Sequence, residues 1–118
     1  MEHAIAVITD LKNLSERLAG ASLGAARLVP SGGRLRLELE LLHQPPVGRR
    51  TGPAARSRLT LERITDASVQ HVATVPTDQP LLACEAVPGG YHVVVATSDG
   101  LRLELAAEQL SGRLVELA

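Results

Sequence analysis

The chain has no phenylalanine and no tryptophan, and Tyr91 is its only aromatic residue. Single-stranded nucleic acid, sugars and flat heterocycles are usually gripped by stacking, and only Tyr91 could supply it. The core must therefore be made of Leu, Val, Ile and Ala. Such a core lacks the large area that aromatics bury, so a partner subunit is a natural source of extra stability.

Cysteine is also nearly missing. Cys84 stands alone, which excludes an intrachain disulfide. No apolar run approaches the ~20 residues that a membrane span needs. The first residues show no basic region ahead of an apolar stretch. These features read as a cytoplasmic protein with no membrane partner. Lys12 is the only lysine among the 12 basic residues.

The signatures of known chemistries are absent too. His3, His43, His71 and His92 form no HxH or HExxH, there is no CxxC, and no metal site or cofactor is expected. There is no GxSxG, Walker A or dinucleotide fingerprint. The stretch Gly20-Ala-Ser-Leu-Gly24 lacks the lysine of a phosphate loop.

What is present is alternation. Hydrophobic residues make up 45% and charged residues 21%, enough apolar material to rule out disorder of the whole chain. At 118 residues the chain reads as a single domain, 1–118, able to bury roughly two-thirds of its unfolded surface. Tyr91–Leu105 carries the clearest pattern. Val93-Val94-Val95 and Leu101, Leu103, Leu105 flank Asp99-Gly100, a dipeptide suited to a two-residue type I′ turn. That turn pairs Ser98 with Leu101, Ala96 with Leu103 and Val94 with Leu105, placing Val94, Ala96, Leu103 and Leu105 on one face.

A second hairpin turns at Gly32-Gly33. Leu35, Leu37, Leu39 and Leu41 alternate with Arg34, Arg36, Glu38 and Glu40. The turn pairs Leu28 with Leu37, Ala26 with Leu39 and Arg27 with Glu38, the last an opposite-charge pair across strands. Further strands are predicted at 56–64 and 67–75, separated by a turn or bulge at Thr65-Asp66. Others follow at 81–87 and 113–116, the last as an edge. A three-residue Pro88-Gly89-Gly90 loop would set Cys84 opposite Val94 and keep Glu85 off the core.

Ala4, Val7, Leu11, Leu14, Leu18 and Ala21 form a helical stripe, predicting one helix over about 2–19 with Gly20 closing it. The alternative is a short strand at Ala4–Ile8 followed by a shorter helix capped at Thr9 or Asp10. Gln44–Ala55 holds three prolines and two glycines and reads as a flexible loop. The fold class is therefore α+β. An N-terminal amphipathic helix packs on a curved antiparallel β-meander of about seven strands, spanning about 22–116, half-open like a barrel.

Candidate site residues are few. The chosen register brings Cys84 and His92 to one face, a conceivable nucleophile pair with no visible orienting group. The ordinary role of such residues, a buried thiol and an edge histidine, is favoured. Charge is lopsided. Residues 1–61 hold nine Lys/Arg and five Asp/Glu, and residues 62–118 hold three and eight. Arg49, Arg50, Arg56 and Arg58 cluster where no acid occurs, a candidate surface for an acidic protein partner. Net charge is −1, which argues against nucleic acid. The sequence favours a non-enzymatic structural or protein-interaction module that self-associates as a homodimer. A small apolar-ligand carrier, with a pocket between helix and bent sheet, is the alternative.

Overall fold

A computed structural model describes residues 2–18, 21–43, 55–72 and 80–117. The Gln44–Ala55 loop, except Ala55, and the proposed helix stop at Gly20 lie outside those residues.

The N-terminal stripe divides in two. Glu2–Ile5 is a strand, β1, and Ile8–Arg17 is the one helix among the described residues, α1. One helix over 2–19 is thus corrected. The β-branched, alternating start of the stripe pairs with β8, the last strand (Gly112–Leu117). Ile5 is buried while Val7 is 55% exposed. The Asp10 carboxylate accepts hydrogen bonds from the Ala6 and Val7 N–H groups, which fixes where the helix begins. The rest of the stripe behaves as a helix face should. Leu11, Leu14 and Leu18 are all buried, and Ala21 beyond them as well.

β2 (Ser22–Ser31) and β3 (Arg34–His43) form the hairpin at Gly32-Gly33. Both glycines have positive φ, 56° and 79°, as a type I′ turn requires. The pairs Leu28–Leu37, Ala26–Leu39, Arg27–Glu38 and Ala25–Glu40 all form as the alternation predicts. A bulge at Gly24 ends the regular register.

β4 (Ala55–His71) is one long strand where the sequence suggested two. It bends at Arg63, the only non-glycine with positive φ among the described residues, and bulges between Ile64 and Asp66. Its first half lies between β3 and β8. Its second half pairs with β7 (Leu101–Ala107), which also pairs with β6 (Gly90–Ala96), and β6 with β5 (Leu82–Val87). Ile64 has both Leu35 and Ala107 as partners, so β7 and β8 lie in line along the same side of β4. The eight strands are antiparallel and curl into a half-barrel. Two departures from the expected meander stand out. β8 is not an edge, because β1 flanks it, and β4 joins two smaller meanders.

The hairpin registers around β6 also need correction. Val95, not Ala96, faces Leu103, and Val93, not Val94, faces Leu105. Ser98-Asp99-Gly100 forms a three-residue loop, closed by Gly100 N–H and Thr97 N–H donating to the Thr97 and Leu101 carbonyls. A type I′ turn needs positive φ at its first residue, and only Gly100, at 93°, has it here. At the other end of β6 the loop is Pro88-Gly89, with Val87 opposite Gly90. Pro followed by a positive-φ Gly is the signature of a type II turn.

The helix lies against β5 and β1, the two ends of the longest strand path, and so closes the gap in the curl. The buried Ser15 Oγ accepts a 3.0 Å hydrogen bond from the Leu82 N–H, tying α1 to β5. Inside lie Leu37, Leu39, Leu41, Leu59, Leu105 and Leu114, each at most 1% exposed, with Val93 and Val95.

One ion-pair cluster braces the bend of β4. Glu108 receives Arg34 from the hairpin start and Arg63 from the bend, at 3.2 and 3.5 Å. The hydrogen bond from Arg34 lowers the Glu108 pKa most, with a further contribution from Arg63. A lowered folded pKa means stability that is complete above the usual carboxylate pKa and fades as pH falls through the folded value. Glu108→Gln is therefore expected to give a small loss of stability at pH 7 that shrinks as pH falls, which flattens the acid limb of the stability–pH curve. Urea titrations at pH 7 and pH 3.5 check it.

Candidate functional site

The outer face of β2–β3–β4–β8 carries the charges that alternation turns away from the core. Glu38 is held by Arg27 at 2.7 Å and by Arg36 at 3.1 Å, and Glu40 by Arg56 at 3.2 Å. The Arg27 hydrogen bond holds the Glu38 carboxyl below its ordinary pKa. A groove of about 450 Å³ runs across this face, lined by Arg36, Glu38, Arg58, Thr60, Glu62 and Arg113. A second hollow of about 400 Å³ adjoins it and shares Glu38 and Arg58.

The predicted basic cluster is only partly assembled here. Arg56 and Arg58 lie on this face, where Glu40 occupies Arg56 and Arg58 stands opposite Glu40 in register. Arg49 and Arg50 lie outside the described residues. Acids from β3 thus sit among the arginines of β4, and the face is a mixed-charge ladder rather than a cationic patch. Surface pairs of this kind add little stability each and mainly keep the face hydrated.

Cys84 and His92 do not meet. Cys84 pairs with Val93 and packs against the core, whereas His92 pairs with Glu85 on the opposite face. The one-residue shift of β6 produces this result, since neighbouring side chains on a strand point to opposite sides. His92 Nδ1 lies 3.6 Å from Glu85 Oε1, an ion pair when the ring is protonated. Burial, followed by the nearby Glu85 charge, pushes the Cys84 thiol pKa up. A raised pKa keeps the thiol neutral and unreactive at pH 7. The expected result is iodoacetamide labelling of native Cys84 at pH 7 at least tenfold slower than in urea. Labelling at the unfolded rate would contradict it. Stability linked to this group is present at neutral pH and is lost as pH rises through the folded pKa.

A polar group that sequence reasoning missed lies at the β1–β8–β4 end. Ser57, fully buried, faces Glu116 across β4 and β8, and His3 Nε2 is 3.7 Å from Glu116 Oε1. Only the pairing of the first strand with the last brings these three together, and no local pattern signals it. The carboxylate stands between serine and imidazole. A nucleophilic triad needs the imidazole in the middle, touching the hydroxyl. The arrangement is therefore not a nucleophilic triad.

The apolar recess between the two halves of the sheet, lined by Leu61, Ile64, Val93, Leu105 and Leu110, holds about 10 Å³. That is roughly the room for a single water. Among the described residues no group of three or more His, Cys, Asp and Glu could hold a metal ion. Among them, too, no helix is long and apolar enough to cross a membrane.

What the curl leaves open is strand edge. Among the described residues β2 pairs only with β3, Ala67–His71 of β4 only with β7, β1 only with β8 and β5 only with β6. Four of the exposed large hydrophobic residues, Val69, Val72, Leu28 and Val87, lie on or beside strand edges and ends. Comparison with known proteins returned no match: no family model, no curated protein and no solved structure resembles the chain.

Proposed function

We propose that this chain is a non-enzymatic structural or interaction module that assembles with a second copy of itself. The observation that carries this reading is the open strand edges of β2 and of the C-terminal half of β4, which α1 does not lie against, on a sheet with a packed aliphatic core. Unpaired N–H and C=O groups along an edge are a ready template for another strand. A C2 homodimer is the commonest way for a single chain to satisfy such an edge. The packed aliphatic interior weighs against a ligand carrier, and the separation of Cys84 from His92 weighs against thiol chemistry. The lone, half-buried cysteine fits a reducing compartment, so a cytoplasmic setting belongs with this reading.

Sedimentation velocity tests the proposal. At micromolar concentration the expected species has twice the 12.5 kDa chain mass. A single boundary at the chain mass across the micromolar range would overturn it.

A further inference from the structure

We infer that the second copy docks on the C-terminal half of β4, strand edge to strand edge, with Val69 on the two-fold axis. This rests on the self-association proposed above and names its surface.

β1 and β5 also have one unpaired side, but α1 lies against both; the two edges without it differ in how they are protected. β2 carries three devices that discourage strand addition. Gly24 bulges, Arg27 places a charge on the strand, and Pro30 removes an N–H. The pair next to a two-residue turn is hydrogen-bonded inward, so Pro30, Leu28 and Ala26 are the residues of β2 that face outward. One of the three outward positions thus has no donor. Proline is tolerated in a sheet at such an unpaired edge position.

The edge of β4 has none of these. Its sequence from Ala67 to Val72 is Ala-Ser-Val-Gln-His-Val, with no Pro, Lys, Arg or Gly. The Val72 N–H donates to the Gly100 carbonyl at 2.8 Å, which sets the parity of the whole strand. Val72, Gln70 and Ser68 bond inward to β7, so the N–H and C=O of Ala67, Val69 and His71 point outward. Among the described residues no strand pairs with them, and the Ala67 N–H donates to its neighbour Asp66 Oδ1 at 2.9 Å. Val69 is 53% exposed and Val72 41%, although Val69 shares a face with Leu103, which is 3% exposed.

Two copies related by a two-fold axis at Val69 satisfy this parity. Every residue from Asp66 to Val72 then gains a partner. Ala67 meets His71 of the other copy, Val69 meets Val69, Ser68 meets Gln70 and Asp66 meets Val72. No like charges oppose each other. The apolar row Leu103–Val69 continues into the same row of the second copy, and β5–β6–β7–β4 becomes half of an eight-stranded sheet. Shifting the axis by half a residue breaks the outward-to-outward match of the two-fold pairing, and shifting it by a whole residue leaves an end of the segment unpaired.

The test compares the full chain with Val69→Lys and Leu28→Lys by sedimentation, with circular dichroism melts confirming that each folds. Val69→Lys sets two like charges on the axis and is expected to weaken the dimer at least tenfold. Leu28→Lys, on the guarded edge, is expected to leave it unchanged. Dimerisation retained in Val69→Lys overturns this surface while leaving self-association standing, and a monomeric parent chain overturns both. Cross-linking gives a second readout. In a Cys84→Ala background, Val69→Cys places two thiols across the axis, where paired Cα atoms lie about 5.5 Å apart, within disulfide range. Mild oxidation is expected to give a covalent dimer from Val69→Cys and none from Leu28→Cys. A Val69→Cys chain that stays monomeric under oxidation contradicts the proposal.

Discussion

Leu59→Ala is expected to lower the stability of the fold by about 2–5 kcal/mol, the range for removing a buried leucine. Leu59 is central to the core. It sits on β4 between Leu39 of β3 and Leu114 of β8, and all three are 0% exposed. Strands hydrogen-bonded on both sides cannot slide inward to fill the void, so the cost falls toward the upper half of that range. Small domains have about 5–15 kcal/mol in all, so this one side chain carries a large share. Leu28→Ala is the control. Leu28 lies on β2 at 39% exposure, and its loss is expected to cost under about 1 kcal/mol. Urea denaturation of both variants makes the comparison. Equal losses would mean that the Leu39–Leu59–Leu114 row is not the centre of the core.

Gly100→Ala is expected to cost about 2–4 kcal/mol, from two sources. Gly100 has φ of 93°, where an L side chain is strained by about 1–2 kcal/mol. A methyl there would also lie 2.6 Å from the Val72 carbonyl oxygen, too close to remain. Relieving that clash pushes β4 from the loop and loosens the Val72–Gly100 hydrogen bond, at an overpacking cost of about 1–3 kcal/mol. Gly33→Ala separates the two terms. Gly33 has φ of 79° with nothing within 4 Å of the added methyl, so only the backbone strain applies. Gly100→Ala is therefore expected to be the more damaging by at least about 1 kcal/mol in thermal or urea unfolding. Similar losses for the two would show that the loop yields freely.

Much of this architecture is legible in the alternation of Leu with charged residues. The Gly32-Gly33 hairpin is readable down to its register because turn and pattern specify the same pairing, and Arg27–Glu38 adds a charge match. The hairpin at Asp99-Gly100 is readable as a hairpin but not in register. Its loop is decided by distant contacts. The Ser98 N–H donates to the Ala21 carbonyl, and the Leu23 N–H approaches the Asp99 carboxylate at 3.4 Å. Three consecutive valines also accept either face, so Val93-Val94-Val95 gives the pattern no means of rejecting a shift of one residue. The shift matters for chemistry because it moves His92 to the face away from Cys84.

The irregularity of β4 is half legible. The bulge between Ile64 and Asp66 falls where Thr65-Asp66 suggests it, but the positive φ falls on Arg63, a residue type that does not advertise it. A short strand followed by a shorter helix is the alternative the N-terminal stripe offers, but pairing with β8, more than 100 residues away, decides for it and local periodicity does not. The same long-range pairing assembles Ser57, Glu116 and His3. The open edge of β4 is likewise a property of topology. Only knowing that β3 ends at Arg34 reveals that Ala67–His71 has no strand on that side among the described residues.

Amide hydrogen exchange, read residue by residue at low and high protein concentration, bears most directly on an assembly built by strand pairing. The N–H groups of Val69 and His71 are predicted to exchange rapidly in dilute protein and to slow at least tenfold as concentration rises. Those of Ala26 and Leu28 on β2 should be unaffected. Exchange at Val69 and His71 that stays equally fast at both concentrations would contradict it.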